Sequence, residues 1–283
     1  MIPWSQSIWV IDKSPKVLLK EACVVLPEDV SEALKTARDK ADDNGRAKQV
    51  LELICENASL AKNDKLPVCQ DTGTTVVFLE WGAQVSLDEG TLQEAVDKGV
   101  RKAVEEAYLR RSIVRDPLDR VNTNDNTPAS LTIIPVGGEK VKISVLPKGA
   151  GCENMTKLIM LRPADGKEGV KKVIMEAVKS SGGNACPPLV VGVGIGGDGS
   201  KAPVLAKKAL LRKIGDRNPD PFYAAFEEEL KAELNETGQG PLGLGGSPTV
   251  LDIFIEKAPC HIASLPVAIC LNCHAARCAS AEL

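Results

Sequence analysis

Apolar residues recur along this chain at two distinct periods. From Glu28 to Lys62 the spacing is helical, with Val30, Leu34, Ala37 and Ala41 followed by Ala47, Val50, Leu51, Ile54 and Ala58, and Asn44-Gly45 interrupts the run. This predicts a helical hairpin. Thr75 to Trp81 is dense in β-branched and aromatic residues and predicts a buried strand. Thr91 with Glu94 forms a capping box ahead of a helix whose inner face is Ala95, Val96, Gly99, Val100, Ala103 and Val104. Leu131 to Val136 and Lys140 to Leu146 flank Gly137-Gly138 and predict two strands paired through a tight turn.

Gly169 to Ser180 is helical and is stopped by Gly182-Gly183; Leu189 to Val193 follows as a buried strand. Ser200 to Lys213 and Pro221 to Glu236 are helical, the second carrying Phe222, Ala225, Phe226 and Leu230 on one side. A glycine-rich loop, Gly238 to Gly246, leads to strand-like stretches at Thr249 to Ile255 and Ile262 to Leu271. There is no internal repeat and no low-complexity linker. The order of elements predicts an α/β (mixed α+β) chain, one unit over residues 1–283 with mixed β-sheets flanked by helices.

Charge narrows the function classes. With 35 basic and 38 acidic side chains the net charge is −3, and the Lys-rich stretches Lys167 to Lys179 and Lys201 to Lys213 fall on amphipathic helices. Binding of nucleic acid through counterion release is therefore not expected. The longest nearly apolar run, Pro187 to Gly197, is short and rich in Gly and Pro against the about 20 apolar residues a bilayer requires. The first twelve residues include Ile2, Trp4, Ile8, Trp9 and Val10 but lack the basic head and cleavage site of an export signal. Nine cysteines without such a signal read as reduced thiols in the cytoplasm.

Context sorts those thiols. Cys23 and Cys55 sit inside apolar patterns, as small buried hydrophobes do. Cys69 in Pro-Val-Cys-Gln-Asp-Thr-Gly, Cys186 in Gly-Gly-Asn-Ala-Cys-Pro-Pro and Cys273 in Leu-Asn-Cys-His-Ala-Ala-Arg lie on loop-like segments that packing does not explain. Iron–sulfur ligation suits such segments. A structural zinc site built from Cys270, Cys273, Cys260, His261, His274 and Cys278 is the competing reading. Gly192-Val-Gly-Ile-Gly-Gly197 satisfies a dinucleotide-binding pattern, yet no second strand ending in an acidic residue follows at the required distance. It reads better as a tight strand-to-helix turn that lets backbones approach. Asn122 to Ala129 and Lys148 to Asn154 are either plain loops or polar and small-residue walls of a site.

In order and along nearly the whole chain, six segments resemble the class I iron–sulfur fumarase and tartrate dehydratase family, in the separate α subunit of its two-subunit form. They are Pro67 to Gly73, Asn122 to Ala129, Lys148 to Asn154, Gly183 to Pro188, Val191 to Gly197 and Cys273 to Arg277. The resemblance implies the N-terminal domain fold of class I fumarase. It also implies a [4Fe–4S] cluster held by Cys69, Cys186 and Cys273 with one iron open to substrate. Asp71 is then a proton donor to the leaving hydroxyl and His261 the active-site histidine. Gln70, Arg110 and the Gly149 backbone face a small dicarboxylate, with Arg111 adjacent to the arginine position.

Two departures stand out, Ala150 and Cys152, where the family usually has glycine and serine. The implied partner is a β subunit completing the site, in a dimer of heterodimers, and the α subunit alone is expected to be inactive. The expected reaction is reversible hydration of fumarate to L-malate. L(+)-tartrate dehydration is the alternative on the same chemistry, and a non-catalytic zinc or cluster scaffold the alternative of a different class.

Overall fold

The computed structural model describes residues 4–42, 45–87 and 89–283, with side chains from Ser14 onward. Ile2 and Asn44 lie outside the described residues, as do the side chains of Trp4, Ile8, Trp9 and Val10. In chain order the elements are α1 (Trp4–Val24), α2 (Glu28–Lys40), α3 (Arg46–Asp64), β1 (Thr74–Gly82), α4 (Leu92–Glu106), β2 (Ser130–Val136), β3 (Val141–Lys148), α5 (Ala150–Glu153), β4 (Lys157–Leu161), α6 (Gly166–Ser181), β5 (Leu189–Gly197), α7 (Lys201–Ala209), α8 (Pro221–Glu236), β6 (Val250–Cys260), β7 (Leu265–Asn272) and β8 (Ala279–Glu282). They form two mixed sheets flanked by helices, the class that the hydrophobic pattern predicts.

The chain divides into two compact units. The first comprises Met1–Pro27, Ala58–Ala150 and Arg277–Leu283; the second comprises Glu28–Asn57 and Gly151–Ala276.

In the first unit the strands run in the order β2-β1-β3-β8. β2 is parallel to β1, while β3 is antiparallel to both β1 and β8. Val77, Leu79, Ile143 and Val145 bury their side chains with Leu19 and Ala22 of α1 and Val96, Val100 and Ala103 of α4. The predicted capping box at Thr91 and Glu94 is present.

The predicted pairing of β2 with β3 is not formed, because β1 lies between them. The connecting turn instead wraps the end of β1. Gly82 N–H donates to Lys140 O at 3.0 Å, and Gln84 N–H donates to Gly138 O at 3.1 Å. A Cβ on Gly82 would stand 2.5 Å from Gly138 O, so a side chain there would force the turn away.

The second unit carries the order β4-β7-β5-β6, with β5 parallel to β6 and antiparallel to β7. Successive residues of β5 point to opposite faces. Val191, Val193 and Ile195 pack with Ile174 of α6 and Phe226 and Leu230 of α8. Gly192 and Gly194 face α7, where added Cβ atoms would stand 2.2 Å from Ala206 O and 2.1 Å from Ala202 O.

The glycines of the nucleotide-like pattern therefore serve close helix-on-strand packing. The first N–H groups of α7 are already engaged, since Asp198 Oδ1 accepts from Ser200 and Lys201 N–H at 2.8 Å each. On α8 the buried side is Phe226, Glu227, Leu230 and Leu234, whereas Phe222 and Ala225 are exposed. The sequence assignment of that face is one step off because Glu227 is drawn inward. Its carboxylate accepts from Arg212 at 2.7 Å and from Ile255 N–H at 2.8 Å.

Candidate active site

Strand direction gathers the first unit's quoted segments. The Cys69 to Gly73 loop runs into β1, and the Asn122 to Ala129 loop runs into β2, which is parallel to it. Lys148 ends β3, its register partner being Thr74 at the start of β1, and Arg277 lies just before β8. All four segments thus lie at one end of one sheet.

Val68 N–H donates to Cys23 O at 2.8 Å, which anchors the approach to Cys69. Cys69 and Asp71 are half-buried and Gln70 is exposed. Asp71 Oδ1 accepts from Gly73 N–H at 2.9 Å and from the Ser112 hydroxyl at 3.4 Å, and Oδ2 accepts from Ala150 N–H at 2.8 Å. Its carboxylate therefore ties three segments together.

Gly73, at φ +71°, sits so close to β3 that a Cβ would stand 2.1 Å from Lys148 O. A Cβ on Gly149 would stand 3.3 Å from Asp71 Oδ2 and 3.7 Å from Arg277 Nη2. The bare Gly149 backbone is what lets the carboxylate and the guanidinium share this corner. The contact made by Ala150 uses its N–H, so alanine at this position preserves it.

Arg277 is 2% exposed, and its Nε and Nη1 have no hydrogen-bond partner among the described residues. A buried guanidinium without acceptors is costly, and an anionic group satisfies it. Arg277 and Cys69 both act on the Cys23 thiol. Burial pushes that thiol up to about 11, with Arg277 opposing the rise and Cys69 adding to it.

Arg110 and Arg111 are exposed, on the segment leading to Ser112. Two amides of the Asn122 to Ala129 stretch hold this segment: Asn122 Nδ2 donates to Arg111 O at 2.9 Å and Asn126 Nδ2 donates to Arg110 O at 2.9 Å. The sequence marks the stretch as polar but does not reveal what its amides hold.

The second unit brings Cys186 and Cys273 together by the same logic. β5 and β7 are antiparallel with Val190 opposite Asn272, so the residue shortly before β5 and the residue just after β7 fall at the same sheet end. Cys186 is exposed and left-handed at φ +52°, and Cys273 is half-buried. The Cys186 carbonyl accepts from His274 N–H at 3.1 Å and from His274 Nδ1 at 3.0 Å.

The glycine-rich loop supports the Cys186 segment, with Leu242 N–H donating to Pro187 O at 2.7 Å. Cys152, where the family usually has serine, donates from Sγ to Ala185 O at 3.2 Å, a bond that a hydroxyl also makes.

His261 lies elsewhere. It is exposed beyond the start of β7, whereas Cys273 follows its end. The strand between them spans roughly 25 Å at about 3.3 Å per residue. His261 lines a cavity of about 400 Å³ with Lys167, Phe222, Tyr223 and Phe226, and its Nδ1 accepts from Ala263 N–H at 3.1 Å.

The zinc arrangement is not formed. Cys270 is fully buried on β7, where its Sγ accepts from Thr156 Oγ1 at 3.8 Å. Cys260 donates from Sγ to Ser264 O at 3.3 Å. Among the described residues, no three His, Cys, Asp or Glu side chains are gathered to hold one metal ion. A cubane takes one thiolate per iron, so its ligands stand further apart than donors converging on a single ion.

The family described as "Fumarate hydratase (Fumerase)" matches residues 13–282. A protein of Methanocaldococcus jannaschii named "Putative L(+)-tartrate dehydratase subunit alpha" is 45% identical over 266 residues, covering 92% of this chain and 93% of that protein. The "L(+)-tartrate dehydratase subunit alpha" proteins of Escherichia coli and Shigella sonnei are each 36% identical over 257 residues, covering 89% of this chain and 84% of theirs.

Proposed function

This chain belongs to the fumarate hydratase (Fumerase) family and is a hydro-lyase, and from that premise we propose that it is the α subunit of an L(+)-tartrate dehydratase. The observation that carries the choice of substrate is the 45% identity to a relative of that name along 93% of the relative's length. The fumarate reading expected from the sequence motifs remains correct at family level. The names of these relatives favour the diacid with one more hydroxyl.

In this reading Cys69, Cys186 and Cys273 hold a [4Fe–4S] cluster. Buried Arg277, with two nitrogens lacking acceptors, supports an anionic group beside it. When bound, such a cluster supplies a Lewis-acidic iron for a substrate hydroxyl and carboxylate.

The protein's own groups do the rest. Arg110 offers a planar fork of donors to a substrate carboxylate. Asp71 is the proton donor to the leaving hydroxyl in this reading; its Oδ2 accepts one N–H, from Ala150, and keeps a further lone-pair position on which the proton is carried. Gly149 keeps the corner beside Asp71 clear of side chain, and exposed Gln70 faces the substrate. His261 lies too far along β7 to reach Cys273 in the same chain, so the catalytic role assigned to it requires a second copy of the chain.

The name "subunit alpha" supports a β-subunit partner, which supplies the remaining groups of the site. No described helix is long and apolar enough to cross a membrane. We place the enzyme in the cytoplasm on the strength of its cysteine usage.

Anaerobic co-expression with the β subunit tests the reading. The complex is expected to contain iron and acid-labile sulfide and to dehydrate L(+)-tartrate with a higher kcat/KM than L-malate. A reversed preference restores the fumarate reading, and zinc without sulfide overturns both.

A further inference from the structure

Asn126 does more than cap a turn. It is 0% exposed and adopts φ +58°, a left-handed conformation that asparagine tolerates better than most residues. Its side-chain amide makes three bonds to the segment carrying the arginines. Oδ1 accepts from Ser112 N–H at 2.6 Å and from Ile113 N–H at 3.3 Å, while Nδ2 donates to Arg110 O at 2.9 Å.

By bonding Arg110 O and the Ser112 and Ile113 N–H groups together, the amide fixes the course of the chain from Arg110 to Ile113. The end of this segment lies against Asp71, since the Ser112 hydroxyl stands 3.4 Å from both Asp71 Oδ1 and Arg110 O. The surrounding loop is fixed independently: Thr123 N–H donates to Ile113 O at 2.9 Å, and Arg101 pairs with Asp125 at 3.5 Å.

We propose that Asn126 is a positioning residue for substrate, holding the Arg110–Ser112 segment so that the Arg110 guanidinium is presented beside Asp71 to a carboxylate of the hydroxy diacid. This rests on the hydro-lyase reading above and deepens it, for it names the residue that holds the arginine segment in place.

The experiment uses the complex with the β subunit and the variants Asn126→Asp, Asn126→Ala, Arg110→Ala, Arg111→Ala and the double variant Asn126→Asp/Arg110→Ala. Asn126→Asp keeps the shape and the acceptor but loses the donor to Arg110 O. It is expected to raise KM about tenfold, with kcat within about twofold and cluster absorbance unchanged, as loss of uniform substrate binding does. Arg110→Ala is expected to raise KM by about ten- to hundredfold, the loss of one charge-assisted bond. Adding Asn126→Asp to it should change KM by less than about twofold, because both act through one group.

An unchanged KM in Asn126→Asp with only a lower Tm overturns the assignment. So do independent effects in the double variant, a larger effect of Arg111→Ala than of Arg110→Ala, or failure of both Asn126 variants to fold, which would make the residue structural only. If the wild-type complex turns over neither diacid, the substrate reading fails separately. Calorimetric affinity for succinate, a plain dicarboxylate, then replaces KM with the same expectations.

Discussion

Cys23, near the end of α1, is fully buried, and burial raises its thiol from 9.0 to about 11. A thiol whose folded pKa exceeds its unfolded value stabilises the fold fully below the unfolded pKa, and that contribution is lost as pH rises through the folded one. Urea unfolding of the apo chain should therefore weaken between pH 9 and 11 by about 1.4 kcal/mol per unit from this group, and Cys23→Ala should flatten that part of the profile. An unaltered slope in the variant would show that other groups set the alkaline limit. Cys23 as a buried hydrophobe and Cys69, Cys186 and Cys273 as loop residues were all legible from their neighbours. The fixed carboxylate of Asp71 was not, because its partners Gly73, Ser112 and Ala150 come together only through strand order. The unpartnered nitrogens of Arg277 were likewise hidden, since burial of a charge leaves no mark on local sequence.

Several helices announced themselves through spacing and caps: α4 begins at the predicted Thr91 box, and α8 runs from Pro221 to Glu236 as its pattern indicates, whereas α1 (Trp4–Val24) was not read from the sequence. Pairing of strands was harder. The stretch around Gly137-Gly138 has the composition of a hairpin turn, but β1 offers β2 and β3 a longer apolar partner, and a local signal cannot register a strand inserted from some fifty residues earlier. The glycines of β5 show the opposite case, a familiar motif whose physical demand is packing. Gly194→Ala should destabilise the second unit by about 2–3 kcal/mol or more, because the new methyl meets the backbone carbonyl of Ala202 and α7 must shift. Thermal unfolding of Gly194→Ala beside Gly199→Ala, where the nearest atom is Leu158 Cδ2 at 3.9 Å, measures this; equal stabilities would mean that α7 yields freely.

In the proposed reading, activity belongs to the assembly. The isolated chain is expected to bind iron and sulfide yet to show less than about one-hundredth of the tartrate dehydration of the complex, a loss of more than about 2.7 kcal/mol in transition-state stabilisation. Titrating the β subunit into the reconstituted chain under anaerobic conditions measures it, and full activity without partner would place every reacting group in this chain. Cys69→Ser, Cys186→Ser and Cys273→Ser should each abolish retention of acid-labile sulfide, while Cys55→Ser should not. Equal loss in all four would refute the sorting of the thiols.

The polypeptide passes between its two units after Pro27, Asn57, Ala150 and Ala276, and the last two passages fall inside the Lys148 to Asn154 and Cys273 to Arg277 segments. Neither unit is encoded by one uninterrupted stretch of gene. A recombinant chimera with a single crossover between this chain and a relative therefore always splices foreign sequence into at least one unit. Clean exchange of a unit requires swapping two stretches together for the second unit and three for the first.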